Sequence, residues 1–456
     1  MAEITPVTEW PDWHDNLDGG DPLTQNFTAA YDKGDLCWML VCTILCWQIT
    51  PAIGFLYAGM HRRKAADHGA VVAVLLVRLR QPVLGVRLLA VRGPHHQPHP
   101  RRPVAGRLKN VLTQPSQANA DIPDILYAAF GFIFVSAMAM ILAGAMLERG
   151  RLWAIYVSNI LAYWEWNPSG WLYKLGVYDF VGSGPVHIAS DTATDRRLRL
   201  AHYKPHSPLL LCIGTCFIWF GWIVLNGGSS ANLTIRSFYV VVNTNLAACG
   251  GGIGWILLDY AYKRKFSLVD FCSGIIAGLV GITPAAGYVP VFVAARVGLI
   301  TATRCYFTVR YKYLLSVDDG LDNFAIHGVG GLVGDILTGL FAAQFVPAPD
   351  GVSGASYAGG CWNHHWKQLD LQLAGATTCA TWSVFVSCLL NFVINKIPGL
   401  HLRASEENEV CSFDAKYLDD IDYEESYFGN DYMISESGPT PRTRTAPASE
   451  EETKKE

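Results

Sequence analysis

Residues 122–147 read IPDILYAAFGFIFVSAMAMILAGAML, and this stretch decides the class of fold. One charged residue, Asp124, stands near its start, and the rest of the stretch has no polar face. A helix of about 20 apolar residues spans the hydrocarbon core of a bilayer. A helix lying on a soluble core would show a polar stripe instead; apolar character on all sides suits lipid. Further apolar blocks recur at 36–57, 209–225, 239–262, 267–289, 324–345 and 371–397. Only 16% of the 456 residues are charged, against roughly 25% in a soluble domain. The chain reads as an all-α membrane protein of many spans.

The charges gather between and beyond these blocks. Arg62-Arg63-Lys64, Arg149 and Arg151, Arg196-Arg197 with Arg199, Lys263-Arg264-Lys265, Arg310 with Lys312, and Arg403 follow odd-numbered spans. Lys and Arg mark cytoplasmic loops, so this spacing predicts about eleven helices with the N-terminus outside and the C-terminus inside. The sequons at Asn26 and Asn232 both fall on the outer side in that scheme. The acidic start of the chain lacks the basic region of a cleavable signal peptide. Residues 1–34 are expected to be extracellular, 35–400 to form the transmembrane domain, and 401–456 to be a largely disordered cytoplasmic tail. The twelve cysteines lie mostly inside apolar blocks, where they act as small apolar residues. Cys361, His364 and His365 read as a solvated outer loop, and no metal or cofactor is expected.

Aspartate and histidine are costly inside a membrane and mark function there. Asp179 precedes His187 by eight residues, and Asp319 precedes His327 by the same interval. Eight residues is just over two helical turns, which predicts that acid and imidazole share roughly one helix face. By count these are the fifth and tenth spans. Five helices followed by an inverted five is a recurrent transporter plan, with the site where the halves meet. Two imidazoles facing each other at mid-membrane would make a polar strip in an apolar tube. Each neutral ring has one donor and one acceptor, so the strip can hold a small hydrogen-bonding molecule or pass a proton.

These residues, with Pro51-Ala-Ile-Gly-Phe-Leu-Tyr-Ala-Gly59, Gly144-Ala-Met-Leu-Glu148-Arg149-Gly150-Arg151, Trp219-Phe-Gly-Trp222 and Asn226-Gly-Gly-Ser229, resemble the ammonium transporter, methylammonium permease and Rhesus protein superfamily. The string Gly182-Ser-Gly-Pro-Val-His-Ile188 and the tail start from Ile397 to Glu407 look like its fungal permease branch. The resemblance implies a plasma-membrane homotrimer with one pore per subunit, carrying ammonium or methylammonium, with no nucleic-acid partner. It implies an outer ammonium site at Phe130, Phe134, Trp166 and Ser229, where ring faces attract a cation and a hydroxyl accepts its hydrogen bond. It implies a twin-histidine relay at His187 and His327, and support of the site by Asp179 and Asp319. Where the family stacks two phenylalanines as a gate, Phe134 matches one and Leu225 stands at the other.

The chain departs from the pattern at 66–108. A second apolar span belongs there, yet Arg78, Arg80, Arg87 and Arg92 occur, then Pro94-His-His-Gln-Pro-His-Pro100. Arginine at mid-bilayer costs on the order of 3 kcal/mol on insertion scales. The stretch reads as a shifted frame, so another frame of codons 66 to 108 is expected to encode a Trp- and Phe-rich apolar helix. The fourth span is short, the fifth is cut off by Asp191, Asp195, Arg196 and Arg197, and Arg296 and Arg304 are expected to interrupt the ninth. Two other functions stay open: an ammonium sensor signalling through the tail, and a defective copy without transport. An intramembrane enzyme is set aside, since no His-Glu-x-x-His spacing exists and the Asp–His pairs lack a third ligand.

Overall fold

The computed structural model describes residues 31–60, 115–116, 118–146, 164–166, 170–189, 205, 207–315, 321–350 and 357–396. Among them every regular element is helical, and the nearest approach to a sheet is a lone bridge between Pro115 and Pro123. The helices grow from the apolar blocks. They are α1 (Lys33–Cys46), α2 (Ile49–Met60), α3 (Asp124–Met146), the short α4 (Trp171–Leu175), α5 (Pro208–Gly228), α6 (Ile235–Lys263), α7 (Leu268–Ile282), α8 (Val291–Tyr311), α9 (Val329–Phe341) and α10 (Lys367–Asn395). Counting α1 with α2, and α9 with the turn before it, five described helices are long and apolar enough to cross a membrane.

Local chemistry sets where several of them begin. Asp32 caps α1 by accepting from the Asp35 amide at 2.8 Å. Ser207 caps α5 ahead of Pro208, whose missing N–H costs nothing in a first turn. Ser267 caps α7 through the Asp270 amide. The block 36–57 is not one continuous helix: it turns at Trp47 and Gln48. Pro51 has no N–H for the Trp47 carbonyl four residues back, which accounts for the break. The block 267–289 is helical only to Ile282, after which the chain turns through 283–289.

The outward faces are apolar. Ile44, Leu257, Phe292 and Phe392 are each about 60% exposed, whereas the interior holds Asn226, Asn243, Thr244 and Asp335. That is the inverse of a soluble protein and fits a lipid surround. The buried amides tie helices together. Asn226 donates to Thr244 Oγ1 at 3.0 Å, joining α5 to α6. Asn243 donates to the carbonyls of Ala286 and Val289, joining α6 to the chain after α7. Helices α6, α7 and α8 cross on glycine: a Cβ on Gly278 or on Gly298 would sit 2.3 or 2.0 Å from the Ala247 carbonyl oxygen. Backbone-to-backbone packing of this kind replaces the hydrophobic drive that lipid removes.

The expectation that Arg296 and Arg304 interrupt a span is corrected. Helix α8 runs unbroken from Val291 to Tyr311, with both arginines exposed and the opposite face, including Val297 and Ala302, buried. Arginine is a good helix former and its long stem lies along apolar surface, so the backbone has no reason to stop there. The tail 401–456, the anomalous 66–108 and the segment 190–204 lie outside the described residues.

Candidate functional site: a histidine pair beside an apolar cavity

The two histidines sit on two π-helical turns, Ser183–Ile188 and Phe324–Gly328. Such turns are rare and gather at functional sites, because an i to i+5 bond re-aims the side chains around it. The first has visible causes. Pro185 contributes no N–H to the ladder. Gly182 enters with φ +113°, and a Cβ there would meet the Trp166 ring at 2.8 Å. The Asp179 carboxylate then takes three amides, Gly182 and Ser183 on Oδ1 at 2.7 and 2.8 Å and Gly184 on Oδ2 at 3.0 Å. Asp179 therefore does not share a helix face with His187. It lies in the non-helical segment 177–179 before the turn and caps it, since eight residues that include a left-handed glycine are not two regular turns. Asp319 lies outside the described residues.

The segment carrying Asp179 is held by two glutamines that sequence reasoning missed. Gln372 accepts from the Tyr178 amide at 2.7 Å and donates to the Tyr178 carbonyl at 2.6 Å. Gln368 donates to the Gly176 carbonyl and to Gln372. Their only signal in the sequence is two polar residues four apart at the start of the last apolar block.

His187 and His327 meet at the centre. Their Nδ1 atoms are 3.1 Å apart and the rings stack at 5.2 Å. Both are buried. One bond between two Nδ1 atoms requires one ring to donate and the other to accept. The two neutral rings are therefore in opposite tautomers. Trp222 stacks on His187 at 5.2 Å and donates its N–H to Thr283 Oγ1 at 3.0 Å. The Trp-Phe-Gly-Trp motif was visible in sequence, but its partner Thr283 was not.

Beside the pair is a cavity of about 30 Å³, room for one or two water-sized molecules. Its walls are apolar, with Ile53, Phe134, Val186 and Leu225 among them, and the two imidazoles interrupt them. Phe134 contacts Phe130 at 5.5 Å and Trp166 at 5.4 Å, both edge-on. Trp166 is half-buried and donates to the Asp179 carbonyl at 3.2 Å. It is thus built into the site rather than turned to lipid. Ser229 directs its hydroxyl proton to the Leu225 carbonyl at 2.8 Å, so what it offers elsewhere is lone pairs. Gly228 packs against the Phe130 ring, which brings Ser229 to the same end. A family model described as Ammonium Transporter Family matches residues 37–423.

The chain belongs to that family. It is 41% identical over 449 aligned residues to Ammonium transporter 1 of Schizosaccharomyces pombe, covering 93% of this chain and 88% of that one. It is 38% identical to Ammonium transporter MEP2 of Saccharomyces cerevisiae, covering 90% and 87%. A crystal structure of Candida albicans Mep2, 38% identical, superposes with a TM-score of 0.76 over 85% of this chain and 90% of that one. The relatives of this family member are named as transporters, not enzymes. Together with the apolar exterior of the helices, the match establishes a multi-pass membrane protein.

Proposed function

We propose that this chain conducts ammonium across the plasma membrane as one subunit of a homotrimer, each subunit with its own pore. The observation that carries the reading is the buried His187–His327 pair, in hydrogen-bond contact at the wall of an otherwise apolar cavity. The names of the relatives, each an ammonium transporter, support the substrate. We take the domain as about eleven spans, an inverted five-plus-five with a final helix, N-terminus outside and C-terminus inside. Residues 1–34 are then extracellular and 401–456 a cytoplasmic tail.

In this reading Phe130, Phe134, Trp166 and Ser229 recruit ammonium. Ring faces draw the cation and the Ser229 lone pairs accept one N–H. Phe134 and Leu225 form the gate, and Leu225 closes it without a ring face for a cation. Beyond it the cavity is too apolar for an ion, because desolvating a charge costs far more than desolvating a neutral molecule. Ammonium therefore gives up a proton, ammonia crosses, and the proton passes separately by the imidazoles. Asp179 and Asp319 support the two histidine turns.

The test is ammonium-dependent current in oocytes expressing the full chain, with Trp166→Leu beside wild type. Loss of a cation–π contact of about 1–2 kcal/mol predicts up to a roughly thirtyfold weaker apparent affinity, with a smaller fall in maximal current. Unchanged affinity in the variant removes Trp166 from recruitment, and no current from wild type refutes the transport reading.

A further inference from the structure

Behind the aromatic residues lies a buried acidic group that the transport scheme does not use. Glu165, between Trp164 and Trp166, is 5% exposed and sits against Gly184 of the first π-helical turn. Only glycine fits there: a Cβ at 184 would lie 2.5 and 2.7 Å from the two Glu165 carboxyl oxygens. Glu165 Oε1 accepts from the Cys379 thiol of α10 at 3.2 Å, while Oε2 has no donor among the described residues. The groups that face Glu165 are Asp179 before the turn, Asp335 of α9 and Cys379 of α10, and no described cation joins them. Asp335 is 3% exposed, and its Oδ1 also lacks a donor among the described residues.

The contact between Glu165 and Asp179 decides what the group holds. Both carboxyls gather at Gly184, whose amide donates to Asp179 Oδ2 and whose Cα faces the Glu165 oxygens, and two ionised carboxylates brought together in a buried place repel. One proton between them turns the repulsion into a bond. Both Asp179 oxygens already accept backbone amides, three in all, whereas Glu165 Oε2 has no donor among the described residues. The proton thus belongs to Glu165. Its carbonyl oxygen then takes the Cys379 thiol, its hydroxyl donates to Asp179, and the orphaned oxygen has a partner.

We propose that Glu165 is a proton-binding site, a carboxylic acid held on Asp179 that exchanges its proton with the pore. Its place is set by its neighbours. Asp179 accepts the turn that carries His187, and the Asp179 carbonyl takes the Trp166 N–H. Ser183 of the same turn donates to the Gly331 carbonyl, on the helix after His327. When the site empties, the O–H bond of Glu165 breaks, the electron pair stays on the carboxylate, and the proton leaves toward the pore. When it refills, a proton from ammonium or water forms the bond again, leaving ammonia or hydroxide. The proton-holding part stands without the transport reading, and the exchange part rests on it.

Infrared spectroscopy of the full chain in liposomes at neutral pH tests the first part. A carbonyl-stretch band of a protonated carboxyl, shifted in heavy water, is expected in wild type and absent in Glu165→Gln. No such band, or one that survives the substitution, overturns the proposal. Glutamine keeps the shape, can donate to Asp179 and can accept from Cys379, so a merely structural Glu165 would tolerate it fully. The second part predicts that Glu165→Gln flattens or displaces the dependence of ammonium current on external pH. A pH profile identical to wild type overturns the exchange. Absence of wild-type current with the band intact would instead indict the transport reading.

Discussion

Replacing His187 and His327 together with alanine is expected to abolish selective ammonium current, with potassium leak as the accompanying sign. Ammonium differs from potassium in one respect that this pore can use: it can shed a proton. The cavity beside the pair is apolar and small, so the barrier to any intact ion is the loss of its hydration. A neutral ammonia escapes that barrier if the proton has another path, and in the proposed relay that path is the two rings, whose Nδ1 atoms are 3.1 Å apart. Potassium has no neutral form to send. Without the rings, the space they vacate is wide enough for water, and hydrated ions can pass with it.

Each single alanine substitution is expected to impair transport as well, since the remaining ring loses its Nδ1 partner. Leaving a buried polar group unsatisfied costs about 1–3 kcal/mol. An acidic residue in place of His187 should retain part of the flux, because a carboxyl group also relays a proton. The measurement is ammonium current in oocytes with potassium as competitor. A double alanine variant that keeps wild-type current and selectivity would sink the relay and return both histidines to packing.

The second large effect concerns assembly. Gly298→Ala is expected to cost most of the folded protein, although it adds one methyl group. That methyl would lie 2.0 Å from the Ala247 carbonyl oxygen and 2.7 Å from its carbon. These are backbone atoms of α6 and have no rotamer to change. Gly278 of α7 presses on the same carbonyl from another side, so α6 cannot shift away from α8 without meeting α7. Overpacking typically costs about 1–3 kcal/mol, and more where nothing yields. Gly131→Ala of α3 is the control, since a Cβ there meets nothing within 4 Å. It should be neutral or stabilising by roughly 0.5–1 kcal/mol. The readout is the monodisperse yield and thermal midpoint in detergent. Equal behaviour of the two variants would contradict the packing.

The sequence by itself determined whatever repeats along one element. Twenty apolar residues with no polar face demand lipid, because nothing else could cover every side of the helix. That logic found the blocks that became α3, α5, α6 and α10 and marked His327 as costly inside one of them, while the repeated eight-residue interval from Asp179 and Asp319 added His187. The family motifs named the aromatic residues, which the fold gathers at one end of the cavity. The reading failed where periodicity was assumed across a turn. Asp179 caps the helix instead of sharing its face, since Gly182 breaks the register. It failed again at Arg296 and Arg304, where charge was taken as interruption and the side chains simply turn outward.

Tertiary structure alone decided the partners of each polar group. Thr283 beneath Trp222, Gln372 clasping Tyr178, and Glu165 against Asp179 and Cys379 join residues as far as 214 positions apart. No spacing rule reaches that far, because a hydrogen bond depends on where two helices cross and not on their separation along the chain. Hydropathy is a property of each residue and survives in the string of letters. A buried proton needs two groups in contact, and contact exists only once the helices have packed.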